Sequence, residues 1–408
     1  MDDQPALSRR RLLAGGAAVA GVAGAAAWAG SEHGRRVAPA AFGTDTVPFH
    51  GIHQAGIETP PQAHGTFVGL NLLPDNGRTP LGALRAVLKL WTTDAERLTQ
   101  GLPALADTEP ELALRPSNLT VTVGFGPTLF DAVGLSRSRP PSARPLPSFG
   151  IDRLESRWSG TDLLLQICAD DPVVLAHATR VLVKNVRSLA VERWRQNGFR
   201  GARGADRDGV TARNLMGQVD GTANPMPGTP EFSRAVWDDG RIQPWMAGGT
   251  LMVLRRIRMN LDSWDALDRD SKELAVGRRL DNGAPLTGQH ENDPVDLGML
   301  RDGIPVIPRN SHVALAHQQN PDEQFLRRPY NYDDPPEAGQ VSNSGLLFAA
   351  YQRDIDQQFL PAQRRLAEFD AMNRWITPIG SAVYVIPPGT QSGGYLGEQL
   401  LEGQSQAR

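Results

Sequence analysis

The same order of strands and helices occurs twice along the chain, and this order strongly limits the folds that it can adopt. In the first half, apolar and alternating segments predict strands at 66–73, 119–126 and 162–169, helices at 79–100 and 171–194, and a short closing strand near Phe199. In the second half, they predict strands at 249–258, 346–351 and 382–386, and helices at 261–280, with a break, and at 355–375. Strands that alternate with long helices in this way indicate an α+β fold of two ferredoxin-like lobes, each with an antiparallel sheet.

Changes in composition divide the chain further. Residues 30–60 are rich in Gly, Pro and His without a clear period, which is typical of an extended arm or linker. We therefore predict five segments: a signal peptide at 1–29, the arm at 30–60, an N-terminal lobe at 61–215, a C-terminal lobe at 216–400 and a tail at 401–408.

The first 29 residues have the features of an export signal. Three arginines, Arg9 to Arg11, precede an apolar stretch rich in Ala, Gly and Val, and Ala27-Trp28-Ala29 offers small residues for cleavage. Paired arginines before Leu12-Leu13 resemble a twin-arginine (Tat) signal, with an ordinary secretory signal or an uncleaved anchor as the alternatives. Because the Tat translocase exports folded proteins, we expect a cofactor-binding protein of the periplasm, the cell envelope or the extracellular space.

Charge and cysteine content exclude several classes of protein. The formal net charge is -3 over 408 residues, so no basic field is available to attract nucleic acid. The chain has one cysteine, Cys168, in an apolar run, which excludes an intramolecular disulfide and a cysteine-based metal cage and predicts a buried thiol. No CxxCH motif occurs, so a haem would be held without thioether bonds.

Three polar segments interrupt the apolar patterns of the second half. The first, Met216 to Pro225, holds Asp220 in a Gly-rich loop, and its simplest interpretation is an Asp-Gly turn. The second holds His312 and His317, which could be metal or haem ligands or structural histidines. The third holds Arg327 in a segment that could be a solvated surface loop. Each segment alone therefore leaves its role open.

Taken together, the three segments resemble the dye-decolorising (DyP-type) haem peroxidases. Gly217-Gln218-Val219-Asp220-Gly221 matches the GxxDG signature of that family, and Ser311-His312 followed by Leu326-Arg327-Arg328 matches its haem-ligand and arginine segments. The resemblance extends from about 47 to 400 and is greatest to the Tat-exported branch that includes deferrochelatases. Two details depart from the usual pattern, namely His317-Gln318 after the ligand segment and Pro329 in place of a glycine.

The resemblance implies a function and a set of site residues. We expect one non-covalent haem b per chain and oxidation of an organic donor by hydrogen peroxide in one-electron steps. His312 is expected to ligate the haem iron, Asp220 to carry a proton, and Arg327 to stabilise the departing oxygen and contact the haem. The remaining expected haem contacts are Gly221, Thr222 and Ala223, where small residues let the backbone approach the ring.

A carboxylate on the second nitrogen of His312 would increase the electron density of the ligand. The sequence offers two acidic residues near a strand end, Asp354 and Asp356, and we expect Asp354 to fill this role. His50, His53 and His64 could bind a second metal, but the same arm belongs to the family pattern, so we expect them to be structural.

Other functions remain open on the sequence alone. The chain could release iron from haem, as a deferrochelatase does, or serve a metal-trafficking partner as a peroxidase, or carry haem without catalysis. A carrier would not need Asp220 and Arg327 together, so their presence favours the peroxidase. The sequence is compatible with a homo-oligomer and does not identify the natural donor.

Overall fold

The computed structural model describes residues 42–74, 77–205, 210–336 and 338–403. Residues from Gly43 onward form one compact unit. The predicted signal peptide and part of the predicted arm lie outside the described residues. No helix of the described part is both long and apolar enough to cross a membrane.

The first half of this unit is built on a four-stranded antiparallel sheet. Its elements are β1 (His64–Leu72), α1 (Pro80–Thr99), β2 (Thr120–Phe125), α2 (Pro127–Ala132), β3 (Leu163–Ala169), α3 (Pro172–Asn185) and β4 (Ala190–Phe199). The strand order is β4-β1-β3-β2, with all neighbours antiparallel. This connectivity is that of a ferredoxin-like βαββαβ unit.

The second half repeats the arrangement. Its elements are α4 (Pro230–Val236), β5 (Thr250–Met259), α5 (Leu261–Asp265), α6 (Arg269–Val276), β6 (Leu300–Arg301), β7 (Ile304–Pro305), α7 (His312–Ala316), β8 (Leu326–Arg327), β9 (Tyr330–Asp334), β10 (Asn343–Gln352), α8 (Leu360–Phe369), β11 (Ile376–Ile386) and α9 (Glu398–Glu402). The sheet order is β9-β10-β5-β11, so β5, β9, β10 and β11 take the places of β1 to β4. The prediction of two ferredoxin-like lobes is confirmed.

The inner faces of the two sheets pack against each other. Phe67, Leu164 and Cys168 of the first sheet share an apolar cluster with residues of the second, among them Met252 and Tyr351. Single bridged pairs, Val385 with Phe125 and Phe199 with Asn331, join the sheet edges. Cys168 is a buried free thiol, as predicted. Since the lobes pack this closely, the boundary between residues 215 and 216 stays a prediction.

Capping residues explain why the two long helices of the first lobe start where they do. Thr79 accepts from the amide of Gly82 ahead of α1, and Asp171 accepts from the amides of Val173 and Val174 ahead of α3. Both helices carry Pro at the first position, where no amide hydrogen is needed.

One prediction of secondary structure was wrong, and one segment whose role the sequence left open is a strand. The helix predicted up to Trp194 ends at Asn185, because Ala190–Phe199 alternates between buried and exposed residues and forms the full-length strand β4. The segment after Arg328, which could be read as a loop, is strand β9, whose Tyr330 and Tyr332 are buried. Prolines on both sides of β9 make the segment resemble a loop in the sequence, yet β9 completes the second sheet.

Candidate active site

The outer face of the second sheet forms one side of a large cavity. Alternate residues of β5 (Arg255, Ile257 and Met259) point into it, together with Leu346 and Phe348 of β10. Helices α7 and α8 contribute the opposite side. The cavity has a volume of about 790 Å³, within the usual range for ligand and cofactor sites. His312, Asp220, Gly221, Thr222, Ala223 and Arg327 all line it.

His312 is the first residue of the short helix α7. The preceding Ser311 is fully buried and caps the helix by accepting from the amide of Ala314 at 3.4 Å. The amide of Ala371 donates to the carbonyl oxygen of Asn310 at 2.9 Å, which ties the start of α7 to the segment after α8. The imidazole is therefore fixed by its own helix and by a second part of the chain.

Asp370 is the partner of the His312 ring. Its Oδ2 lies 2.6 Å from Nδ1 of His312, and its side chain is 1% exposed. A carboxylate can only accept, so Nδ1 carries the hydrogen and Nε2 keeps a lone pair for a metal. Burial alone would lower the pKa of His312, but the charge and hydrogen bond of Asp370 outweigh it and raise this pKa.

The expectation that Asp354 would hold the ligand imidazole was wrong. Asp354 caps the turn Ile355–Phe359, accepting from the amides of Asp356 and Gln357. Its competitor Asp356 forms a two-bond ion pair with Arg144 at 2.9 Å. Both carboxylates have other partners, and neither lines the cavity.

Asp220 is held by a loop that requires glycine. Gly217 and Gly221 have φ values of 81° and 141°, which side chains disfavour. The amide of Asp220 donates to the carbonyl of Ala212 at 2.9 Å, and the amide of Asn214 donates to that of Gln218. These bonds close the loop and direct the Asp220 side chain, 14% exposed, towards the cavity.

Arg327 meets Asp220 at the cavity wall. Its Nη1 lies 2.9 Å from Oδ1 of Asp220, and its side chain is 24% exposed. The backbone of Arg327 is held on both sides by one side chain, since Asn224 accepts from its amide at 2.9 Å and donates to its carbonyl at 2.7 Å. The segment of the Asp220 loop thus positions the arginine as well as the carboxylate.

Several residues of the site were not predicted. Asp370, Arg278 and Glu291 stand outside the three polar segments. Thr222 donates to Glu291 at 2.8 Å, and Arg278 donates to the carbonyl of Glu291. Asn224 lies within the Asp220 segment and could have been noticed there. Asp370 is 58 residues from His312, and no spacing rule connects them.

The histidines of the arm make ordinary contacts. His50 bonds to Glu96 and to the carbonyl of Thr390, while His53 bonds to the carbonyl of Gly248 and stacks on Trp237. Among the described residues, the set of three that could hold a metal ion is instead Asp107, Glu109 and His177. Arg180 pairs with Glu109 at 3.1 Å, and Asp107 bonds to His177 at 2.9 Å, so both carboxylates already have partners.

The cavity residues fit a haem. Besides the free Nε2 of His312, three arginines line the cavity (Arg255, Arg278 and Arg327), which suits a group with two carboxylates. Within the described part of the chain, Nε and Nη1 of Arg255 and Nε2 of Gln218 are buried without a hydrogen-bond partner. Such donors are expected where a polar ligand group or water completes the site. The apolar residues of both walls suit the macrocycle.

A ligand imidazole backed by a carboxylate, together with a carboxylate–guanidinium pair in the same cavity, is the donor set of a haem peroxidase. Two family models match the chain, described as Dyp-type peroxidase, N-terminal, over residues 54–200 and Dyp-type peroxidase, C-terminal, over residues 211–391. The chain belongs to the DyP-type peroxidase family. It is a haem-dependent peroxidase, and its cofactor is haem.

Individual relatives agree with this assignment. The chain is 41% identical to a dye-decolorizing peroxidase of Thermobifida fusca, over 86% of this chain and 84% of that protein. It is 33% identical to a deferrochelatase of Escherichia coli, over 97% of both chains. A crystal structure of a DyP-type peroxidase from Cellulomonas bogoriensis shares 50% identity and a TM-score of 0.86, over 89% of this chain and all of that chain.

Proposed function

We propose that His312 ligates the haem iron through Nε2, that Asp370 orients and polarises this ligand, and that Asp220 and Arg327 catalyse cleavage of hydrogen peroxide. The observation that carries the proposal is the arrangement of the two pairs. His312–Asp370 and Arg327–Asp220 line one cavity, and the charges of Arg327 and Asp220 both act on the His312 imidazole.

Bound haem supplies a redox-active iron that accepts oxidising equivalents from peroxide and passes them on one at a time to an organic donor. Asp220 would accept a proton from one oxygen of hydrogen peroxide and return it to the other oxygen, which leaves as water. Arg327 stabilises the negative charge on the leaving oxygen with a guanidinium that stays protonated at every relevant pH. The Arg327–Asp220 contact holds the carboxylate beside the guanidinium, so both groups face the same cavity.

Asp370 acts on the other side of the ligand. By accepting from Nδ1, it fixes the tautomer and ring orientation of His312 and makes Nε2 a stronger electron donor. Because Asp370 also accepts from the amide of Met372 at 2.9 Å with its second oxygen, the carboxylate cannot turn away from the imidazole without losing that bond.

Stopped-flow mixing of the haem-loaded protein with peroxide tests the roles of the peroxide-facing pair. We expect the rate of the peroxide-dependent absorbance change to fall about 100- to 1000-fold in Arg327→Ala and about 100-fold or more in Asp220→Asn. Arg241→Ala, which removes an arginine side chain that is 86% exposed, serves as the matched control and should react like the wild type. Wild-type rates in both site variants would contradict the proposal.

A haem-binding test addresses His312 separately. We expect His312→Ala to lose the absorbance spectrum of a histidine-ligated haem, and added imidazole to restore it. An unchanged spectrum in His312→Ala would exclude His312 as the ligand, whatever the outcome for Arg327.

Iron release from haem is the second candidate function, because curated deferrochelatases are 33–34% identical to the chain over nearly its whole length. The two functions differ in their products. A peroxidase consumes peroxide and oxidises a donor with the haem retained, whereas iron release leaves an iron-free porphyrin and requires no peroxide. Fluorescence of the free porphyrin after incubation with haem and a ferrous chelator, without peroxide, would support iron release.

We also propose export of the folded, haem-loaded chain by the Tat translocase to the periplasm, the cell envelope or the extracellular space. The support is the pattern of Arg9, Arg10 and the apolar stretch after them. Replacing both Arg9 and Arg10 with Lys should retain the protein in the cytoplasm. Continued export of that variant, or export in cells without a Tat translocase, would identify another route.

A further inference from the structure

Three of the eight methionines of the chain line the haem cavity. Met216 belongs to the loop that holds Asp220, Met259 ends β5, and Met372 follows Asp370 by two residues. Their exposed fractions are 3%, 4% and 7%, so each is nearly inaccessible to bulk solvent. They form one apolar cluster with Trp264 and Trp375, which we call the thioether wall.

The thioether wall is held close to both catalytic pairs. Trp264 donates to the carbonyl oxygen of Met216 at 3.1 Å, and Trp264 packs edge-on against Trp375 at a ring distance of 5.2 Å. The amide of Met372 donates to Asp370, the partner of His312. A change in the shape or polarity of these methionines would therefore disturb both the loop that holds Asp220 and the Asp370 carboxylate.

A thioether is the side chain in this wall that is most readily oxidised by peroxide. We propose that Met216, Met259 and Met372 are oxidised to methionine sulfoxide when peroxide reacts in the cavity without an organic donor, and that this modification releases haem. In each event the O–O bond of hydrogen peroxide breaks and one oxygen atom forms a bond to sulfur. The sulfur loses two electrons, and the peroxide is reduced to one molecule of water.

The chemistry of the product explains the loss of haem. Methionine sulfoxide is polar, whereas the wall lines a cavity that would hold a largely apolar macrocycle. An oxygen added to a buried sulfur has no hydrogen-bond partner in an apolar wall, so the side chain would have to rearrange. The thioether wall therefore sets the number of turnovers that the protein survives when donor is scarce. This inference rests on the peroxidase activity of the family.

Peptide mass spectrometry of the haem-loaded protein after a pulse of peroxide without donor tests the modification. We expect sulfoxide at the three cavity methionines about fivefold or more above Met246 and Met252, which are fully buried and lie away from the cavity. The same pulse on haem-free protein should modify mainly the exposed Met226 and Met299. This comparison needs no variant and no measurement of activity.

Haem retention tests the consequence. A triple Met216→Leu, Met259→Leu and Met372→Leu variant keeps the volume of the wall, and we expect it to retain haem about threefold longer under repeated pulses. The matched control, Met246→Leu with Met252→Leu, should lose haem like the wild type. If the haem of the wild-type protein responds to peroxide while the cavity methionines stay unmodified, this inference is wrong and the peroxidase assignment stands. A haem that does not respond to peroxide at all overturns the peroxidase assignment with it.

Discussion

Asp370 accepts hydrogen bonds through both carboxylate oxygens, one from Nδ1 of His312 at 2.6 Å and one from the amide of Met372 at 2.9 Å. Because each carboxylate oxygen has its own donor, the Asp370 carboxylate cannot rotate without breaking one of the two bonds. The imidazole of His312 is therefore held by a group that is itself held by the turn after α8. This pair connects the end of α8 with the side chain that we propose as the iron ligand.

Replacing Asp370 with Asn tests this connection. Asn keeps the size of the side chain but removes the negative charge, so His312 becomes a weaker electron donor. We expect the reaction with peroxide to slow by about 10- to 100-fold and the reduction potential of the haem to rise. Stopped-flow absorbance and potentiometric titration measure the two effects.

Asp354→Asn is the matched control for that experiment. Asp354 caps the turn Ile355–Phe359, and Asn caps helices about as well as Asp, so both the rate and the potential should stay at wild-type values. If instead Asp354→Asn changed the potential and Asp370→Asn did not, the assignment of the ligand's partner would be reversed.

The contrast between Asp354 and Asp370 shows where prediction from sequence ended. Asp220, His312 and Arg327 belong to local motifs, so each could be found from neighbouring residues, and all three line one cavity. The partner of His312 is Asp370, 58 residues further along the chain. The two side chains meet only because α8 packs against α7. A carboxylate near a strand end looked equally suitable until Asp354 was found to cap a turn and Asp356 to pair with Arg144.

The fold was predictable to a similar extent. The predicted helix starts at 79 and 171 agree with the capping residues that the structure shows, Thr79 and Asp171. The strand order is the one that repeated βαββαβ connectivity implies. Strand β9 is difficult to recognise in the sequence because it has only five residues and directly follows Arg328 and Pro329. Its burial depends on packing against the other sheet, which local propensity does not report.

Asn224 gives a second prediction, because one amide side chain holds both backbone groups of Arg327. Asn224→Ala would leave a partly buried amide and carbonyl without these partners. We expect a loss of about 1–3 kcal/mol in the free energy of unfolding and a slower reaction with peroxide, since the guanidinium is less well positioned. Denaturant unfolding and stopped-flow absorbance, at a temperature where the variant stays folded, measure these effects.

Asn343→Ala provides the comparison for Asn224. Its amide also donates to a backbone carbonyl, that of Pro335 at 3.2 Å, but this bond is exposed to solvent at the start of β10. We expect this variant to react with peroxide at the wild-type rate. Equal rates for Asn224→Ala and Asn343→Ala would mean that the backbone of Arg327 is positioned without Asn224.

The Glu323–Arg365 ion pair gives a prediction about pH. Oε2 of Glu323 lies 2.8 Å from Nη2 of Arg365, and the two side chains are 5% and 18% exposed. Glu323 lines the cavity. Burial alone would raise the pKa of Glu323, but the hydrogen bonds and charge of Arg365 and the amide of Gln319 outweigh it and lower this pKa. A lowered pKa in the folded state means that the ionised form stabilises the fold above the unfolded pKa, and that this stability is lost as pH falls through the folded pKa.

Glu323→Gln should therefore destabilise the protein at neutral pH and matter less in acid. We expect a loss of about 1–2 kcal/mol at pH 7, with the difference from wild type shrinking as pH falls below the unfolded pKa of about 4.3. Thermal unfolding of both haem-loaded proteins across this pH range measures the difference, in which common effects of acid on haem binding cancel. Glu192→Gln, which breaks an exposed pair with Arg195, should leave the melting temperature unchanged at every pH. A gap between wild type and Glu323→Gln that stayed constant into acid would show that Glu323 acts through its shape and hydrogen bonds, and not through its charge.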